Sequence, residues 1–148
     1  MNHLPAAFWQ GVEQFNQRQF YACHDTLEAL WMEAMEPEKR FYQGILQIAV
    51  ALYHLGNHNW RGAVILLGEG INRLHPYQPA YGGIQVEPFL LDAVHLLQVL
   101  QETGIEQVTQ VVEQLGYGTG EKEEAIVQSE PTTLQFPTLQ KAPPDSQP

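Results

Sequence analysis

Apolar residues recur every three to four positions through most of the first 115 residues, a spacing that predicts helices separated by short polar breaks. Pro5 suits a first helical turn, and Phe8, Val12 and Phe15 follow on one face. A break near Asn16 to Gln19 leads into a second helix, FYACHDTLEALWMEA, with Phe20, Cys23, Leu27, Leu30, Trp31 and Ala34 gathered on one side. Pro37 can open a third helix, EKRFYQGILQIAVALYHLG, and Gly56 can end it. That third helix is apolar nearly all round, as a central, well-covered helix should be.

After the turn GNHN a fourth helix is expected over WRGAVILLGEGINRL, whose glycines cost helix propensity and so mark close approaches or irregularities. HPYQPAYGGIQVEP is the longest break between core helices. A fifth helix, PFLLDAVHLLQVLQ, turns Phe89, Ala93, Leu96, Leu97 and Leu100 inward, and IEQVTQVVEQLG is a weaker sixth. The fold class is therefore all-α, a compact bundle of five to six helices spanning 1–116. The remainder, 117–148, reads as an acidic, Pro-rich tail, partly disordered, within which residues 134–139 (LQFPTL) could dock on the body. The unit LYHLGNHNWRGAVILLGEGI resembles one tetratricopeptide hairpin, but no second copy follows at a repeat period, and a solenoid needs several.

A chain of 148 residues that is 44% hydrophobic is long enough to bury one core without staples. The single cysteine excludes an internal disulfide and fits a cytoplasmic protein, as does the lack of a leader-like N-terminus. Seven basic against 17 acidic residues, a formal charge of -10, argues against nucleic acid and against an anionic membrane surface. Weak homo-oligomerisation or a protein partner fits the generous apolar faces of helices three to five.

Polar residues on dry faces are the candidate chemistry. His24 and Glu28 are i,i+4 neighbours beside Leu27 and Trp31, able to bond together or converge on one ligand, while Asp25 points further toward solvent. On the third helix Gln43, Gln47 and His54 share a side. Burying an unpaired amide or imidazole costs roughly 1–3 kcal/mol, so pairing of the two stripes across an antiparallel interface is expected. Three readings follow. His24, Glu28, Gln43 and Gln47 form a closed network; or His24 and Glu28 hold a divalent metal with a further ligand; or they line a small pocket, His24 serving as a base oriented by Glu28. No cofactor is favoured. Cys23 points about 100 degrees from His24, which disfavours a Cys-His nucleophile. Trp31, Tyr77 and Tyr81 are the expected pocket mouth, the tyrosines because loops on a rigid scaffold carry recognition.

Phe20, His24, Glu28 and Trp31, then Gly44, Ile45, Leu46 and Gln47, then Tyr53 and His54, then Gly62 and Ala63, occur in an order that resembles the family catalogued as domain of unknown function 309. The resemblance covers roughly residues 8 to 100, with Asp25 standing where the family usually has Glu. It implies a small all-helical bacterial bundle and no established reaction. A metal-assisted or acid–base hydrolase using His24 and Glu28, and a helical protein-interaction module, are the functional alternatives.

Overall fold

The computed structural model describes residues 4–117 and 134–143; residues 1–3, 118–133 and 144–148, including those parts of the expected tail, lie outside them. Six α-helices make the body: α1 (Ala6–Asn16), α2 (Phe20–Glu33), α3 (Glu38–Gly56), α4 (Trp60–Leu74), α5 (Val86–Thr103) and α6 (Val108–Leu115). The helix boundaries follow local chemistry. Asn59 caps α4, its Oδ1 accepting the Gly62 N–H at 3.0 Å. Pro5 precedes α1 and Pro37 precedes α3, where a missing N–H costs nothing.

α3 is the element the others cover. Phe41, Ile45, Ile48, Ala49, Ala51, Leu52 and Leu55 are almost wholly out of solvent, and α3 meets α2 on one side and α4 on another. Each such Leu, Ile or Phe contributes roughly 1.5–3 kcal/mol relative to exposure. The approach to α4 is close enough to explain Gly44 on α3 and Gly70 on α4. A Cβ on Gly70 would sit 2.8 Å from the Gly44 carbonyl oxygen and 2.6 Å from Ile48 Cγ1, and one on Gly44 would sit 2.5 Å from Leu74 Cγ. The helices touch there through backbone, with no room for a side chain. Phe8 and Phe15 of α1, Phe20, Cys23 and Leu27 of α2, and Phe89, Leu96 and Leu100 of α5 complete the core. Trp60 ties the start of α4 to the end of α5, its Nε1–H donating to the Leu100 carbonyl at 2.8 Å.

The long break expected between the fourth and fifth helices holds structure of its own. His75–Tyr77 form a 3-10 turn, and β1 (Ala80–Tyr81) and β2 (Ile84–Gln85) pair antiparallel, Ala80 opposite Gln85 and Tyr81 opposite Ile84. Gly82 and Gly83 make the connection at φ 60 and 86, a left-handed turn that other residues adopt at a cost. α5 starts at Val86, two residues earlier than Pro88, because proline is tolerated in a first turn.

Residues 134–143 run along the body in extended form. Leu134, Phe136 and Leu139 are buried, and Lys141 bridges to Ile84 beside β2. Tyr117 is half-buried against the core, its hydroxyl donating to the Leu52 carbonyl of α3. Among the described residues, no helix is long and apolar enough to cross a membrane.

Burial pushes the Cys23 thiol from 9.0 up to about 12, and raises the Tyr42, Tyr77, Tyr81 and Tyr117 phenols above their usual range. Between those limits the unfolded chain has released its thiol proton while the folded chain keeps it, so stability falls as pH rises. The thermal midpoint is expected to decline from about pH 9 toward pH 12, and Cys23→Ala should make that decline shallower. A midpoint flat across this range in the parent chain would contradict the burial of these groups.

Candidate functional site

α2 and α3 each present one polar-aromatic face to a shared seam. On α2 the residues are Tyr21, His24 and Glu28, at i, i+3 and i+7; on α3 they are Val50, Tyr53 and His54, at i, i+3 and i+4. Where the faces meet, Phe20, Tyr21, His24, Val50, Tyr53 and His54 enclose a cavity of about 150 Å³, half open to solvent. Phe20 is buried and closes its floor, whereas Tyr21 and Tyr53 are 59% and 41% exposed at its mouth. Their rings stand 5.3 Å apart, and the Tyr21 ring is 6.1 Å from that of His24.

The His24 side chain is 26% exposed and lies between two carboxylates. Its Nδ1 is 3.3 Å from Asp25 Oδ1 and its Nε2 is 3.9 Å from Glu28 Oε1. Donor atoms of His24, Asp25 and Glu28 all fall within 4.8 Å of one another, on the exposed side of the helix. Asp25 points to solvent as its helical position requires, yet its short side chain folds back to the imidazole. Each ring nitrogen has a different carboxylate as its near neighbour, so the two acids approach the imidazole from different edges. Cys23 is fully buried with its thiol pushed up to about 12, which leaves it without nucleophilic character.

The polar stripes of α2 and α3 do not form one buried network. No polar side chain among the described residues is fully buried. His24 and Glu28 remain together, and His54 joins them only as part of the cavity wall, its Nδ1 lying 3.3 Å from Asn59 Nδ2. Gln47 turns to α4 instead: its Nε2 donates to Glu69 Oε1 at 3.0 Å, and its Oε1 accepts from Arg73 Nε at 2.8 Å. Glu69 and Arg73 are one helical turn apart, so one amide bridges both ends of an i,i+4 pair. Gln43 is half-buried and bonds neither His24 nor Glu28. The stripe on α3 straddles the seams to both neighbours, and its members divide between them.

The expected mouth is also relocated. Tyr77 donates its hydroxyl to the Pro37 carbonyl at 2.7 Å and Tyr81 donates to Glu38 Oε2 at 2.9 Å. With both phenols satisfied at the start of α3, their rings turn onto Phe41, 5.2 and 4.8 Å between centroids. Trp31 lies under Lys39, whose Nζ is 4.3 Å from the ring centroid and donates to the Trp31 carbonyl at 2.6 Å. None of the three lines the α2/α3 cavity. A wider depression of about 630 Å³ runs along α4 past Ile65, Glu69, Asn72 and His75, but it is shallow and open.

Of the polar residues singled out by sequence, His24 and His54 line the cavity and Glu28, Gln43 and Gln47 do not; Tyr21, Tyr53, Val50 and Phe20 make up the rest of its lining. Their signal was available: Tyr21 lies one turn before His24, and Tyr53 immediately precedes His54.

Residues 8–66 match the model of a family described as domain of unknown function (DUF309), the family that the order of Phe20, His24, Glu28 and Trp31 resembles. The match runs from α1 into α4 and includes every residue of the cavity, though it ends short of residue 100. The uncharacterized protein YpuF of Bacillus subtilis (strain 168) is 34% identical over 99 residues, 66% of this chain and 54% of its own length. The chain therefore spans about half of that curated relative. No solved structure matches.

Gln47→Leu is expected to shift unfolding stability by about 1 kcal/mol or less, because Glu69 and Arg73 can pair directly or rehydrate. A urea titration measures it, and a loss of about 3 kcal/mol or more would return Gln47 to a closed network.

Proposed function

We propose that this protein is a helical binding module whose α2/α3 face receives one apolar side chain from a basic peptide segment of a partner protein. The observation that carries the reading is the ring-walled cavity of about 150 Å³ with Tyr21 and Tyr53 exposed at its mouth. Apolar space of that size takes a benzene-sized group, so one leucine, methionine or phenylalanine side chain fits. Half-exposed tyrosines are a common recognition surface, offering large rigid area at little conformational cost.

The chemistry of the rim supplies the rest of the reading. Asp25 and Glu28 lie against His24, one of the residues of the cavity wall, and the chain as a whole carries a formal charge of -10. Lysine or arginine beside the inserted residue would meet those carboxylates, and the overall field would speed encounter. Nucleic acid is disfavoured on the same charge. The helical body to residue 116 is the binding unit in this reading, and a cytoplasmic setting keeps Cys23 reduced.

A second reading rests on the proximity of His24, Asp25 and Glu28 donors, within 4.8 Å of one another. It makes the cluster a divalent-cation site and His24 with Glu28 the acid–base pair of a hydrolase. We place it behind the first because the two carboxylates approach different ring nitrogens, and because no activated nucleophile lies beside them.

Selection of a random peptide library against the full chain tests the first reading. Enriched peptides should carry one Leu, Met or Phe flanked by Lys or Arg, with affinity falling as salt rises and falling at least about 10-fold in Tyr53→Ala. Peptides unaffected by Tyr53→Ala, or without basic residues, would overturn it. Elemental analysis of protein purified without chelator tests the second: near-stoichiometric metal that disappears in His24→Ala would put that reading first.

A further inference from the structure

The segment 134–143 is held as proteins hold a bound peptide. Asn16 grips one peptide unit from both sides: its Oδ1 accepts the Leu139 N–H at 2.8 Å and its Nδ2 donates to the Leu139 carbonyl at 2.9 Å. Beyond it the segment lies antiparallel to the hairpin edge at one bridge, Lys141 opposite Ile84. Gln85 N–H donates to the Gln140 carbonyl at 2.9 Å, and Ala142 N–H donates to the Gly83 carbonyl at 2.8 Å. Gln85 Nε2 also donates to the Lys141 carbonyl at 3.0 Å.

All of these bonds read backbone, so they secure an extended strand without selecting its sequence. Selection falls to the apolar anchors. Phe136 sits 5.7 Å from the Phe20 ring and 4.9 Å from that of Tyr117, with the Arg18 guanidinium 4.3 Å above it. Leu134 and Leu139 are buried on either side. Backbone bonding at a sheet edge with pockets for spaced side chains is the strand-addition mode of peptide recognition, in which the strand is ordinarily supplied by another molecule.

The tether permits that here. Sixteen residues separate Tyr117 from Leu134, and a chain of that length can span at most roughly 50–60 Å. A small domain is about 30 Å across. We propose that the groove formed by Asn16, Phe20, Tyr117 and the β2 edge accepts residues 134–143 from a second copy of the chain, giving a two-fold dimer in which the tails are exchanged. The contacts in the exchanged form are those already described, so concentration sets the balance. The tether holds the segment in its own groove at an effective concentration of order millimolar. Exchange therefore belongs to concentrated protein, and to moderate salt, which screens the repulsion between two chains of charge -10.

The experiment uses the full chain, two tail variants, Phe136→Ala and Leu139→Ala, and a synthetic peptide of residues 134–143 as probe. Each variant, with helical circular dichroism unchanged, should bind the peptide at least about 10-fold more tightly than the parent chain, whose own tail competes. At about millimolar protein and 0.5 M salt the parent should contain dimers by light scattering. These should take up a fluorescently labelled copy and be absent in Phe136→Ala. A parent chain monomeric at every concentration overturns the proposal, as does a dimer that persists in Phe136→Ala or the absence of peptide binding by both folded variants. Were both variants to lose their helical signal, dimerisation and subunit exchange in the parent would decide the question alone.

Discussion

Almost every side of α3 is apolar, and covering that helix is the constraint from which the rest of the structure follows. α2 takes one flank and α4 another. α4 comes so near that Gly44 and Gly70 meet through backbone. Tyr117 reaches back to the Leu52 carbonyl, sealing a further part of the same helix. What remains open is the seam beside Val50, Tyr53 and His54, where the covering helix presents Tyr21 and His24. The cavity is thus the place where the wrapping of α3 stops short, and its ring-lined walls are core residues left partly uncovered.

Much of this was legible in the sequence because it depends on local periodicity. Phe20, Cys23 and Leu27 mark the buried face of α2 by spacing alone, and the i,i+4 relation of His24 to Glu28 survives in any helix. The hairpin was not legible as strands. Each strand is two residues long, too short for alternation to register, and only Gly82-Gly83 signalled the turn. The partner of Gln47 was not legible either. A residue between two seams can face either neighbour, and the close α3/α4 approach hands it to Glu69 and Arg73. Trp31, Tyr77 and Tyr81 were misplaced for a related reason. A place in a loop does not say which way a phenol turns, and here the Pro37 carbonyl and the Glu38 carboxylate turn both inward.

Two surfaces of different character result, joined by one side chain. Phe20 forms the floor of the cavity and also the wall against which Phe136 rests. The cavity is specified by side chains from two helices, whereas the tail groove is specified largely by backbone groups of the hairpin and by Asn16. In the proposed binding role, the first would select among partners by shape and charge. The second discriminates mainly by whether a segment can lie extended with apolar residues at the spacing of Leu134, Phe136 and Leu139.

The bond between Asn16 and Leu139 joins positions 123 residues apart. Contacts of such range form late, after neighbouring helices have paired. Synthesis adds a delay of its own, because α1, α2, the hairpin and Tyr117 are all made before the segment that rests on them. At about 5–20 residues per second, the stretch from 118 to 143 takes on the order of 1–5 s to add. For that interval a nascent chain carries the elements of the groove but not yet the segment that fills it.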